Sequence, residues 1–262
     1  MGRTYTIVNQ KGGVGKTTTA INLGAYLGYF GQRVLLVDLD PQANATSSLG
    51  IDKKTVRTGT YEVLLGSASV APQILHNPRF KMSLLPSSPS LAGAEVELID
   101  LPNREKRLRD ALVSVNDRYD YILIDCPPSL SLLTVNGLTA ARNGVIIPVQ
   151  CEYLALEGLG QLTQTLSKIR SSIYPELAVR GVLLTMYVDR LKLARDVMSE
   201  VSKYFPNQIF KSIVPRSIRL AEAPSYGMPI SVYAPDIPAA KAYSDLAREI
   251  LEQDGIHIPN LA

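Results

Sequence analysis

Val8-Asn-Gln-Lys-Gly-Gly-Val-Gly-Lys-Thr-Thr-Thr19 is the stretch on which the fold turns. An apolar strand signal, Tyr5 to Val8, runs into it. Behind it Ala20, Leu23, Gly24 and Leu27 recur at i, i+3, i+4 and i+7, one face of a helix. Glycines between a strand and a helix let successive N–H groups converge at the positive end of the helix, which makes a cradle for an anion. Gly12, Gly13, Val14 and Gly15 form the loop, Lys16 adds a point charge for β- and γ-phosphates, the Thr17 hydroxyl suits Mg²⁺, and Thr18 suits another phosphate oxygen. The ordinary expression for such a loop has glycine five residues before Gly15, and Gln10 stands there instead. A glycine-rich turn carrying two solvated lysines is the plainer account of the same residues.

Two further segments end in acid. RVLLVDLDPQ, Arg33 to Gln42, comes after Gly31, a C-cap glycine for the preceding helix, and reads as a near-continuous apolar strand delivering Asp38 and Asp40 to its carboxyl end. In a doubly wound sheet ligands bind outside that edge, which places Asp40 to approach phosphates and orient water. Ending the strand and capping the next segment of chain is the alternative task for both aspartates. YDYILIDCPPS, Tyr119 to Ser129, runs four apolar residues into Asp125, after which Pro127 and Pro128 force the chain out of the sheet. An aspartate ending a strand beside the loop's own strand can hold a water of a Mg²⁺ shell.

The 262 residues are 46% hydrophobic and 19% charged, enough to bury one substantial core. No apolar run reaches membrane-spanning length, and the chain enters its first strand without a leader, so a cytoplasmic protein is expected. Cys126 and Cys151 form no CxxC or Cys/His cluster, which argues against a disulfide framework or a zinc site. Residues 44–79 read as loops around a short helix at Tyr61 to Leu65, Met82 to Leu85 as a strand, Ser90 as the N-cap of a short helix, and Arg104 to Val115 as a helix with a mixed-charge face. Beyond these come a strand at Gly144 to Gln150, a helix at Leu154 to Ile173, a strand at Arg180 to Val188, a helix at Leu191 to Tyr204, a strand at Ile209 to Val214 and a last helix at Ala239 to Gln253. Such alternation predicts an α/β fold: a doubly wound, mostly parallel sheet flanked by helices.

Net charge is only +3, yet Arg180, Arg190, Lys192, Arg195, Lys203, Lys211, Arg216 and Arg219 gather against Asp189, Asp196 and Glu200. A patch of that kind can grip a phosphodiester backbone without reading sequence, and scattered arginines on a helix also serve simply as a solvated face.

Lys11-Gly-Gly-Val-Gly-Lys-Thr17, with its lysine ahead of the glycines, resembles the deviant P-loop of the ParA/MinD family of P-loop NTPases. DLDPQ, DCPPS and VPRSIRLAEAPSYGMPI, Val214 to Ile230, match that family in order, so the resemblance covers essentially the whole chain and is closest to the chromosomal ParA/Soj group without an N-terminal helix-turn-helix domain. It implies one P-loop ATPase domain over residues 1–262 with ATP and Mg²⁺ as cofactors. In that family the early lysine crosses a dimer interface to the other subunit's nucleotide, so Lys11 joins Lys16 and Asp40 as catalytic residues, Asp40 positioning the attacking water. The match also implies base contacts at Pro215 and Ser217, a metal site at Thr17 and, through water, Asp125, and DNA contacts at Arg190 and Arg219, with Lys192 and Arg195 beside them. The long helix after Glu152 either contributes to that dimer or simply packs on the sheet.

The resemblance implies an ATP-dependent homodimer that binds double-stranded DNA nonspecifically on the nucleoid and hydrolyses ATP slowly. A ParB-type centromere-binding protein would stimulate it, and the cycle would partition a chromosome or plasmid. A membrane-cycling, MinD-like regulator would need a basic amphipathic tail, and the last helix carries Asp245, Glu249 and Glu252 instead, so no membrane partner is expected. An iron–sulfur carrier would need paired cysteines. A filament-forming ATP-binding scaffold remains the third alternative.

Overall fold

Along Tyr121–Asp125, Tyr121 and Leu123 join one buried apolar cluster while Ile122 and Ile124 join another. That period of two is what a strand covered on both faces requires. The computed structural model describes residues 2–152 and 155–257, at 155–157 by backbone alone. In chain order its elements are β1 (Arg3–Ile7), α1 (Lys16–Tyr29), β2 (Val34–Asp38), α2 (Asn44–Ser48), α3 (Thr60–Leu65), β3 (Leu75–Asn77), β4 (Met82–Leu85), α4 (Leu91–Glu97) and α5 (Arg107–Leu112). After these come β5 (Tyr121–Asp125), α6 (Leu132–Ala140), β6 (Val145–Gln150), α7 (Ala155–Ser172), β7 (Val179–Thr185), α8 (Lys192–Tyr204), α9 (Ile218–Glu222), α10 (Ile230–Tyr233) and α11 (Pro238–Gln253).

The strands form one sheet in the order β3-β4-β2-β5-β1-β6-β7, parallel throughout except for β3, which runs antiparallel to β4. From β1 the chain moves to one side of the sheet, and after β5 it returns to the other, so the loop leaving β1 opens at the switch point where such sheets bind ligands. One face is covered by α1 and α11, the other by α3 to α6 near β2 and β5 and by α7 and α8 near β6 and β7. Helix α1 lies so close to the chain entering β4 that a β-carbon at Gly28 would collide with the Lys81 carbonyl.

Helix α1 ends as expected at Gly31, whose φ of +85° lets Gln32 N–H return to the Leu27 carbonyl. Several expectations are altered: α2 and β3 stand in the stretch 44–79 expected as loops around one short helix, and the strand expected over Arg180 to Val188 ends at Thr185. Ser90 precedes α4 but makes no side-chain cap. The helix expected over Arg104 to Val115 is shortened to α5, continued by a 3₁₀ segment. Ile209 to Val214 is no strand: Ile209 touches β7 through an isolated parallel bridge to Val182, and a second bridge joins Tyr187 and Pro215 just beyond both segments. Helix α6 stands where the sequence pattern marks no helix. The expected start of α7 at Leu154 lies outside the described residues.

At the amino ends of the strands, Asp254 closes the structure. Its carboxylate accepts hydrogen bonds from Tyr5 Oη at 2.8 Å, Tyr121 Oη at 2.8 Å and Arg180 Nη2 at 2.9 Å, and Arg3 Nε stands 3.4 Å away. Arg180, grouped by sequence with the basic residues around α8, is therefore at the far end of β7 from Arg190, Lys192 and Arg195.

Candidate functional site

Between β1 and α1 the backbone turns through Gly13 at φ +75° and Gly15 at φ +89°, left-handed positions that glycine occupies without strain. A β-carbon at Gly12 or Gly13 would meet nothing within 4 Å, so there is open space beside the loop at both positions. Val14 points away into the core, and its carbonyl accepts the Thr185 hydroxyl at 2.9 Å. Lys16 is buried at 7% exposure and donates from Nζ to the Lys11 carbonyl at 3.0 Å. Burial lowers its pKa, opposed by the charges of Asp125, then Cys126 and Asp40.

Three aspartates meet this loop from β2 and β5, and the fold treats each differently. Asp38 is fully buried: Oδ2 accepts Thr46 N–H at 2.8 Å and Thr46 Oγ1 at 2.6 Å, and Oδ1 accepts Asp40 N–H at 3.2 Å. Burial nevertheless pushes its pKa up to about 6. Asp40 sits past the strand end, with Oδ1 accepting Gln42 N–H at 2.8 Å. Asp125 pairs in register with Asp38 on one side and Ile7 on the other, has no solvent exposure, and leaves both carboxylate oxygens without a hydrogen-bond partner among the described residues. Its pKa is raised well above the carboxylate range by burial and by Asp38, with Thr17 and Lys16 opposing. A buried carboxylate whose acceptors are all free, beside a threonine hydroxyl and a lysine, fits the hydrated shell of a divalent cation.

Two cavities share this edge of the sheet. One, of about 250 Å³, is lined by Gly12, Gly13, Gly15, Lys16, Thr17, Thr18, Asp40, Asn44, Pro128 and Met186. The other, of about 240 Å³ and more apolar, adds Thr185, Pro215, Ser217, Leu220 and Tyr243 to Gly15, Thr18 and Met186. The residues expected to hold phosphates thus gather in the first, and those expected at the base gather in the second.

Lys11 stands apart. It does not line the phosphate-sized cavity, and its ammonium lies 3.9 Å from Glu152 Oε2. Arg190, Lys192 and Arg195 are exposed at the start of α8, the last two on one face of the helix. Arg219, exposed on α9, pairs with Glu222 at 2.9 Å. The two segments are drawn together where Arg216 N–H donates to the Tyr187 carbonyl at 3.1 Å.

Sequence reasoning passed over Thr185, Met186, Asn44 and Tyr243. Thr185 ends a parallel strand as Asp125 does, and the rule that ligands meet carboxyl ends would have singled it out. Nothing local points to Tyr243, buried on α11, where its hydroxyl lies 3.3 Å from Thr19 Oγ1.

Known proteins resemble this chain along nearly its whole length. An AAA-domain family model matches residues 2–179. The sporulation initiation inhibitor protein Soj of Bacillus subtilis is 51% identical over 250 residues, covering 95% of this chain and 98% of that protein. The chromosome-partitioning ATPase Soj of Treponema pallidum is 49% identical over 255 residues, covering 97% and 99%. Among solved structures, a cobyrinic acid a,c-diamide synthase from Mycobacterium smegmatis with bound ADP and magnesium superposes with a TM-score of 0.86 at 38% identity over the whole of both chains. The septum site-determining protein MinD from Pyrococcus horikoshii, complexed with Mg-ADP, gives 0.78 at 28% identity, covering 97% of this chain and 98% of that one. About half of its residues are shared, along nearly the full length, with partitioning ATPases, and the chain belongs to the ParA/Soj family of chromosome-partitioning ATPases.

Proposed function

We propose that this chain is a DNA-cycling ATP switch, carried above all by Asp125, a buried carboxylate without a hydrogen-bond partner among the described residues, beside a glycine loop with open space at Gly12 and Gly13. ATP seats its phosphates on Gly12 to Thr18 and its base against Pro215 and Ser217. Thr17 and, through water, Asp125 would hold Mg²⁺, which would supply positive charge to the phosphates. Lys16 supplies the fixed cation of the site. Asp40, with Oδ1 engaged and Oδ2 without a partner among the described residues, orients the water that attacks the γ-phosphorus, giving ADP and phosphate.

Lys11 acts in trans. Its position outside its own phosphate cavity supports a homodimer in which it leaves Glu152 and reaches the nucleotide of the other copy. The ATP-bound dimer then presents Arg190, Lys192, Arg195 and Arg219 to double-stranded DNA, gripping phosphates without reading bases. No arginine lines the phosphate cavity among the described residues, which fits slow turnover accelerated by a ParB-type centromere-binding partner. The relatives' names point the same way: Soj of Treponema pallidum is called a chromosome-partitioning ATPase. No helix among the described residues is long and apolar enough to cross a membrane, and retention on the nucleoid by DNA is the proposed localisation.

Retention on DNA, measured with ADP, ATP and a non-hydrolysable analogue at two salt concentrations, tests this reading. Binding with ATP and the analogue but not ADP, weakening steeply as salt rises, is expected. Equal retention in all nucleotide states would overturn the switch, and retention unchanged by Arg190→Glu with Arg219→Glu would move the DNA surface elsewhere.

A further inference from the structure

The two cavities of the site share one wall, and that wall is strained. Met186 lines both cavities at φ +51°, a left-handed backbone that a residue with a β-carbon adopts only where its surroundings impose it. The surroundings do so by stitching the end of β7 to the segment that carries Pro215. Val214 N–H donates to the Leu184 carbonyl at 2.9 Å, Tyr187 N–H donates to the Val214 carbonyl at 3.1 Å, and Arg216 N–H donates to the Tyr187 carbonyl at 3.1 Å. Thr185 and Met186 are the two residues spanned by those bonds.

Thr185, next to Met186, lines the base-sized cavity too and reaches the P-loop. The hydroxyl, buried at 2% exposure, donates to the Val14 carbonyl in the middle of the P-loop at 2.9 Å. The Thr185 carbonyl accepts Cys151 N–H at 3.2 Å, one residue before the Glu152 that pairs with Lys11. A side chain lying over Gly15 therefore ties the wall of the base-sized cavity to the loop of the phosphate-sized one.

We propose that Thr185 and Met186 are positioning residues that couple occupancy of the base cavity to the geometry of the P-loop, so that the base contributes to turnover and not only to affinity. The proposal rests on the ATPase reading of the site. A base seated against Pro215 and Ser217 holds residues 214–217. Through the three backbone bonds it holds Met186 in its left-handed state, and through Thr185 it holds the Val14 carbonyl and the N–H groups that come after it. Binding energy from a part of the substrate remote from the reacting phosphorus is thereby spent on orientation, the condition under which truncating a substrate lowers kcat and not merely KM. No bond to the base or to either residue changes in the process.

The test compares steady-state kcat and KM for ATP and for ribose 5′-triphosphate, which has the phosphates and sugar without the base. Wild type is expected to show kcat about tenfold higher with ATP. Thr185→Val, which keeps the shape and removes the donor, brings the ratio of the two kcat values toward one, with KM for ATP changed by less than about threefold. Thr185→Ser restores the ratio. Met186→Gly, which accepts the left-handed backbone and deletes the shared wall, collapses the same ratio with the Thr185 hydroxyl intact, so the result does not hang on one variant folding. Equal losses for both substrates would make Thr185 a brace for the loop and overturn the coupling, as would a preference that survives Met186→Gly or is missing from wild type. Wild type that turns over neither substrate would instead sink the ATPase reading on which the coupling rests.

Discussion

Strand β5 has a buried carboxylate at each end, and the two live under opposite regimes. At its amino end the Tyr121 hydroxyl donates to Asp254, which also collects Tyr5, Arg180 and Arg3 and whose side chain is only 7% exposed. At its carboxyl end Asp125 is more deeply buried and has no hydrogen-bond partner among the described residues. Burial and hydrogen bonding to Asp254 hold the Tyr121 phenol protonated, so that end is a finished network of donors around one acceptor. The other end places Asp125 in register with Asp38, two acids on adjacent strands, with Lys16 opposing their charge. Folding alone satisfies the first end. The second is left for something that enters from outside, which is what a ligand-binding edge requires.

If this contrast is right, Lys16 and Asp40 variants at the carboxyl edge change turnover far more than folding, and variants at the amino edge do the reverse. Lys16→Ala has the largest expected effect: ATP turnover falls by about 10³-fold, equivalent to about 4 kcal/mol, because the fixed cation of the loop is gone. Its melting temperature should stay within a few degrees of wild type, since the hydrogen bond lost is that to the Lys11 carbonyl, and losing the charge that opposes Asp125 pushes that carboxyl further toward its protonated form. Turnover that survives Lys16→Ala would remove the loop from the chemistry.

Asp254→Ala is the counterpart at the amino edge. It orphans two phenols and the Arg180 guanidinium and should destabilise the protein by about 3 kcal/mol, as breaking a buried charge network does. For a chain of this size that is a fall of about 6–12 °C in melting temperature. ATP turnover at a temperature where the variant is folded should remain near wild type. A selective loss of turnover with the melting point unchanged would mean the two ends of the sheet are not independent.

Asp40→Ala separates the aspartates within the carboxyl edge. Asp38 is committed to Thr46 and to the Asp40 N–H, so its removal should unseat the turn after β2, whereas Asp40 offers its free oxygen to the cavity. Asp40→Ala should bind ATP normally and lose about 10²-fold in turnover, equivalent to about 2.7 kcal/mol. Weakened ATP binding with turnover of the bound nucleotide unchanged would make Asp40 a binding residue and not the orienter of water.

The legible parts of this architecture are those written in local patterns. Apolar runs ending in Asp38 and Asp125, and the glycines between Val8 and Lys16, state both the strand and what stands at its carboxyl end. Helix α6 is illegible for the opposite reason. It is buried nearly all round, so no polar face marks its period, and Asn136 inside it spends its side chain on Leu108 N–H and the Arg104 carbonyl. The Asp254 network could not be read either, because Tyr5 and Asp254 meet across a separation of 249 residues. The basic residues near α8 were legible as a composition but not as a surface: Arg180 belongs to the Asp254 network, and only the fold reveals it. Likewise, the strain at Met186 is a property of hydrogen bonds from another segment, which no reading of Thr185-Met-Tyr187 contains.

The smallest expected effect is the one that tests the contrast most directly. In the unfolded chain both Asp38 and Asp125 titrate near pH 4, and in the folded, metal-free protein burial raises both, Asp38 to about 6 and Asp125 well above the carboxylate range. From about pH 4 upward the native state therefore holds protons that the unfolded chain has released, and by linkage stability declines as pH rises through that window. Asp38 finishes its share once the pH has passed about 6, and Asp125 continues beyond it. Asp125→Asn cannot ionise, so with chelator present it should flatten the fall of melting temperature with pH. At pH 8 it should be more stable than wild type by about 1–3 kcal/mol, because a buried charge without partners has been removed. At pH 4 wild-type Asp125 is itself protonated and the gain should vanish. A variant less stable than wild type at pH 8 would mean that the folded chain supplies the Asp125 carboxylate with a partner of its own, and the two ends of β5 would then obey the same rule.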